Sequence, residues 1–194
     1  MGAPRLESGA SRSRVLDKHE DFPMVATRTG AEREAERVLA TLSKEVDDMR
    51  EVAWFSDKAT RALVLGEYAK FYFGRKGDET WPLRMTLQCE VDESSIVTAL
   101  ALDVDGRSYP VATQPGDWSR DRGSGKVWLI LDMPISRRHP ELARALSGAQ
   151  AATVRLRSDD RSWEWTVPRP QLDALGRVFL AWSALIAAEK VPGR

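Results

Sequence analysis

From Leu83 to Val91 apolar and polar positions alternate without a break. Leu83, Met85, Leu87, Cys89 and Val91 fall on one side; Arg84, Thr86, Gln88 and Glu90 fall on the other. A period of two predicts a half-buried strand, because successive side chains point to opposite faces. Asp-Glu-Ser-Ser follows as turn chemistry. The next run, Ile96 to Val104, is apolar or small on both sides, the pattern of a strand covered on both faces and central in its sheet. Asp105-Gly106 then predicts a type I′ hairpin turn, and Arg107 to Val111 resumes an extended pattern. Pro110 cannot donate to a ladder, so this return strand is expected to lie at an edge or end early. Ser119 to Gly125 reads as a polar loop, and Val127 to Met133 as a strand with only Asp132 charged. These four strands are expected to be antiparallel neighbours joined in sequence order.

Upstream, Thr29 and Glu32 form a capping box, and Ala31, Ala35, Val38, Leu39, Leu42, Val46 and Met49 keep helical spacing. That predicts an amphipathic helix over 29–49, its stripe lying either on its own domain or against another chain. Val52 to Phe55 is expected to be the first strand and Leu63 to Phe73 a further β segment, with a helical turn over 62–69 as the alternative. Gly74 to Asp78 reads as a loop. After Pro134, a short helix starting near Ser136 or His139 ends at Gly148. Ala152 to Arg157 and Trp163 to Val167 form a hairpin around Ser158–Arg161, with Glu164 facing Arg155 or Arg157. Leu172, Leu175, Phe179, Trp182 and Ile186 mark a final helix that docks on the sheet.

These elements predict an α+β domain. It is dominated by antiparallel strands, as a sandwich or strongly curved sheet, with an N-terminal amphipathic helix and a C-terminal helix packed on it. The expected division is a tail over 1–28, the helix over 29–49 and a β-rich domain over 50–190.

Composition narrows the partners. Among 194 residues, 29 basic and 29 acidic side chains cancel, so no general field draws in nucleic acid or an anionic membrane. Nucleic acid is therefore not the expected partner; a protein partner or self-association is. No apolar run in the sequence approaches the ~20 residues of a membrane span. The N-terminus lacks the apolar core of a signal peptide, and Leu6 stands where a myristoylation motif has Ser or Thr. A cytoplasmic location is the expectation. The single cysteine, Cys89, is on the inward side of its strand and reads as a buried thiol.

Chemical motifs fail on specific residues. Gly123-Ser-Gly125-Lys126 lacks the leading glycine of a phosphate loop and has Val127 in place of the Ser or Thr. Asp103-Val-Asp105-Gly106 has Ala101 and Ala112 where a calcium loop needs ligands. His19, His139 and Cys89 make no zinc set and no Cys-His pair. No cofactor, metal site or catalytic residue is expected. Seven tryptophans remain. Trp118 and Trp128 flank Arg120-Asp-Arg122, so Trp118, Arg120, Arg122 and Lys126 are the candidate ligand platform, with core packing the competing use of the rings.

Asp48-Met49 before a strand, Leu83 to Cys89, Trp118-Ser-Arg-Asp121, the segment Leu142 to Arg157 and the helix Leu172 to Trp182 together resemble small bacterial and phage-associated β-sandwich modules. Some of these accompany type VI secretion. The resemblance implies a fold over about residues 48 to 185 and carries no catalytic residues.

The expected function is a non-enzymatic binding or assembly module acting through protein–protein contacts, with Val38, Leu39, Leu42 and Val46 on its interaction helix. The alternatives are a glycan- or single-strand-binding domain using the Trp118 loop, and a carboxylate-dependent hydrolase.

Overall fold

In a computed structural model the chain is described over residues 30–62, 66–92, 96–123 and 125–189. The described residues form an α+β fold of mostly antiparallel sheet. The expected tail over 1–28, Thr29 of the capping box and His19 lie outside them.

The large sheet runs in the order β1 (Ser43–Asp47), β2 (Val52–Ser56), β3 (Tyr68–Lys76), β5 (Arg84–Val91), β9 (Lys126–Met133) and β8 (Trp118–Gly123), with β4 (Glu79–Thr80) paired to β3. The small sheet runs β11 (Ser162–Thr166), β10 (Ala152–Arg157), β6 (Ala99–Val104) and β7 (Arg107–Pro110). The helices are α1 (Gly30–Leu39), α2 (Ile135–Arg138), α3 (Pro140–Ser147) and α4 (Arg169–Glu189).

Several local signals produce the elements they predict. Asp105 and Gly106 have φ of 48° and 83°, the positive values a type I′ turn requires. Strand β7 with Pro110 is the edge of its sheet, and β6 is internal. However, β6 starts at Ala99 and is not covered on both faces. Leu100, Leu102 and Val104 are buried, while Ala99 is exposed and Ile96 lies outside the strand, 73% exposed. Arg155 pairs in register with Glu164, Nε to Oε2 at 2.8 Å.

Other expectations are corrected. The helix foreseen over 29–49 ends at Leu39, and Ser43–Asp47 is instead strand β1, antiparallel to β2. Pairing with a neighbouring strand overrides the helical spacing of Leu42, Val46 and Met49. The sheet therefore starts before residue 50. The four strands from Leu83 to Met133 are not neighbours in sequence order: β5 pairs with β3 and β9, while β6 and β7 belong to the other sheet. Residues 119–123, read as loop, belong to edge strand β8, which has few apolar residues because much of it is exposed. Strand β3 runs through Gly74 to Lys76 and turns at Gly77, φ 58°, into β4.

A single continuous core takes side chains from both sheets and from α3 and α4. Phe71, Met85, Leu131, Leu102 and Leu175 are fully buried in it. Cys89 is buried too, and desolvation, followed by the nearby Glu67 charge, pushes its thiol up to about 12. Helix α4 is fastened by polar contacts as well as by its stripe. The buried Gln171 accepts the Ala69 N–H of β3 at 2.9 Å, and Arg177 Nε meets the buried Asp57, just beyond the end of β2, at 2.6 Å. Gly176 allows α4 to cross α3 closely; a Cβ there would lie 2.7 Å from the Ser147 carbonyl oxygen. By length and composition α4 is long and apolar enough to cross a membrane, longer than the sequence reading allowed, and 44% of its apolar window is buried within the protein.

Candidate functional site

The strands of the large sheet have two unlike faces. On the inner face, Phe55, Phe71, Phe73, Met85, Leu87, Leu129 and Leu131 enter the core. The residues between them point outward and line an open cavity of about 900 Å³. The strand register assembles its floor. Tyr72 lies between Ser56 and Arg84, and one step along, Thr86 lies between Lys70 and Asp132. Arg50 and Glu45 of the β1–β2 hairpin contribute to one rim, and Pro134 and Arg137 to another.

One end of the floor is aromatic. Trp54 meets Trp81 edge to face at 5.5 Å and Tyr72 at 5.6 Å. Gly74, directly across from Trp54, makes this packing possible: a Cβ there would lie 3.0 Å from both indole rings. Trp81 is held from both sides of its backbone, its N–H donating to the Gly74 carbonyl at 2.9 Å and its carbonyl accepting from Trp182 Nε1 at 3.0 Å. Helix α4 thus fixes part of the outer surface from the inner side of the sheet.

The middle of the floor is a charged network. Tyr72 donates its hydroxyl hydrogen to Asp132 Oδ2 at 2.6 Å, and Arg84 Nε lies 2.9 Å from that hydroxyl and 3.0 Å from Asp132 Oδ1. Burial first, then the hydrogen bond to Asp132 and its charge, drive the Tyr72 phenol well above its ordinary range, against the pull of Arg84. Tyr68 shifts the same way through burial and then Asp132. The Lys70 ammonium lies 6.0 Å from the Tyr68 ring centre and 5.5 Å from that of Tyr72. Arg84 and Arg50 have carboxylate partners in Asp132 and Asp47. Among the described residues, Lys70 and Arg137 have none.

The platform expected from sequence is divided by the sheet. Trp118, Arg120 and Arg122 stand opposite Leu131, Leu129 and Val127, so they share the inner-side face of the edge strand β8. Trp118 is partly buried against the core, whereas Arg120 and Arg122 are exposed. Lys126 is on the other face, paired with Glu90 and 5.6 Å from the Trp128 ring centre. Of the expected interaction residues, Val38 and Leu39 of α1 pack partly buried against the core and Leu42 is buried, while Val46 is on β1 and 54% exposed. Met49, in the following turn, is 98% exposed.

Sequence reasoning passed over Trp54, Lys70, Tyr72, Trp81, Arg84 and Arg137. The signal for part of this set was Gly74 directly after Phe71-Tyr72-Phe73, since a glycine inside a strand pattern marks close approach of another group. Among the described residues no group of three His, Cys, Asp or Glu side chains could hold a metal ion. The fold and site thus define an α+β protein with an aromatic and cationic cleft on the open face of its large sheet. No family model, curated protein or solved structure matches the chain.

Proposed function

We propose that this chain is a non-enzymatic binding module whose ligand lies in the outer groove of the large sheet. The observation that carries the reading is the convergence in one cleft of Trp54, Trp81 and Tyr72 with Lys70, which has no carboxylate partner among the described residues. Large apolar rings with a few placed polar groups are the ordinary composition of a ligand site. Asp132 acts in this reading as a fixed acceptor for Tyr72 and Arg84, and the raised phenol of Tyr72 is poorly placed to exchange protons near neutrality. The reading also takes the two sheets as a stacked sandwich with α1 and α4 as docked flanks.

Titration of the full chain with short oligosaccharides and single-stranded oligonucleotides, followed by tryptophan fluorescence, tests the site. Lys70→Glu should abolish the response and Lys126→Glu preserve it. The reverse pattern would move the site to the Trp118 hairpin.

A second reading, assembly through protein contacts, is favoured by the exposure of Val46 and Met49 at the β1–β2 hairpin. Its contact surface is that hairpin, since Val38, Leu39 and Leu42 are engaged by the core. Val46→Glu with Met49→Glu should then lower the solution mass measured by light scattering. An unchanged mass argues against assembly there.

A further inference from the structure

We propose that the outer groove takes an acidic oligosaccharide, a run of hydroxyl-bearing rings with carboxylates attached; the inference rests on the binding reading above. Charge complementarity sets the sign. Lys70 and Arg137 line the groove without carboxylate partners among the described residues, so the cleft has two cations to offer an anion. An arginine fork such as that of Arg137 matches a carboxylate in particular.

The same lining argues against a polynucleotide. Glu45 and Asp132 lie in the groove with those cations, and a chain bearing a phosphate at every residue would run past both. A uronate chain is also anionic, but every ring brings hydroxyl groups as well, which donate to carboxylates such as Glu45 and Asp132. Ser56, Thr86 and Ser119 on the floor and far rim add hydroxyls able to donate or accept in turn. Trp54 and Trp81 supply apolar surface for the carbon face of a ring. The cavity of about 900 Å³ is near the upper end of ordinary ligand sites, roughly 300–1,000 Å³, which suits several linked rings rather than one.

The test uses the full chain and four probes: a short oligogalacturonate, the neutral oligogalactoside of equal length, a single-stranded oligothymidylate and a glutamate-rich peptide. Tryptophan fluorescence and calorimetry should show saturable binding of the oligogalacturonate, with the neutral sugar weaker by about tenfold or more. Lys70→Ala combined with Arg137→Ala should bring the acidic sugar down to the level of the neutral one. Added salt should weaken the acidic sugar and leave the neutral sugar unchanged, a readout that needs no variant. Equal binding of the two sugars, or tighter binding of the oligothymidylate or the peptide, overturns the glycan inference. If the tighter probe is lost in Lys70→Glu, the groove stands as a site for another ligand. Silence with every probe overturns the inference and the binding reading together.

Discussion

Two parts of the large sheet set tryptophan beside basic side chains, and they are built in opposite ways. In the outer groove, Trp54, Tyr72 and Arg84 come from three adjacent strands and meet through register. Their charges and rings face one cavity, and the close packing depends on Gly74. In the β8–β9 hairpin, Trp118, Arg120 and Arg122 come from one edge strand and Lys126 from the next, facing the other way toward Glu90 and Trp128. Convergence across strands makes a concave site, whereas succession along one strand makes a decorated edge. The difference lies in where neighbouring strands place their side chains, since both regions use the same residue types.

The most forceful way to break the groove without touching the hairpin is Gly74→Val. Its Cβ would lie 3.0 Å from the rings of Trp54 and Trp81 and 3.1 Å from Val52 Cγ1, so both indoles must move. Overpacking of this kind costs about 1–3 kcal/mol. The expected result is a lower denaturation midpoint, a changed near-ultraviolet dichroism from the displaced indole pair, and loss of groove binding. Unchanged dichroism would show that the aromatic end of the groove does not depend on that glycine.

Residues with strictly local consequences were legible from the sequence. The alternation from Leu83 to Val91 names the core-facing side of β5, but the strand is not half-buried as its period predicts, since Thr86 and Gln88 on the other side are buried too. Asp105-Gly106 names its turn because both residues tolerate positive φ. Of the stripe Leu172, Leu175, Phe179, Trp182 and Ile186 on α4, the first two are buried and the other three partly so. Pairing over distance was not legible. Strand β5 joins β9 across the intervening β6, β7 and β8, and nothing in either strand specifies that partner. The groove is a product of such pairings, so Trp54, Tyr72 and Trp81 looked unrelated along the chain. The nearness of Trp118, Arg120 and Arg122 in sequence was visible, but the face they occupy depended on their pairing with β9.

A finer contrast lies in pH. The hairpin is tied at its start by Asp117, whose Oδ2 receives Arg138 at 2.6 Å and the Gln114 backbone N–H at 2.6 Å. Burial alone would raise this carboxyl, but Arg138 and the Gln114 N–H outweigh it and leave it lowered. A depressed carboxyl adds stability above its unfolded value of about 3.9 and loses it as pH falls through the folded value. Tyr72 in the groove is raised, so its contribution is complete below the unfolded value of about 10 and fades as pH rises beyond it. Amide exchange should therefore show the 114–118 turn loosening first in acid and the Tyr72 strand loosening first in alkali. Asp117→Asn should remove most of that turn's acid response at a cost of about 2 kcal/mol, within the range for hydrogen bonds to charged groups, and leave the response of the Asp57–Arg177 pair in place. Tyr72→Phe should reduce the alkaline response to the share that Tyr68 carries, at about 1.5 kcal/mol, since both partners of its hydroxyl are charged. If Tyr72→Phe left the alkaline limb intact, the Tyr72–Arg84–Asp132 network would not be what holds the floor of the groove, and the contrast between the two regions would rest on aromatic packing alone.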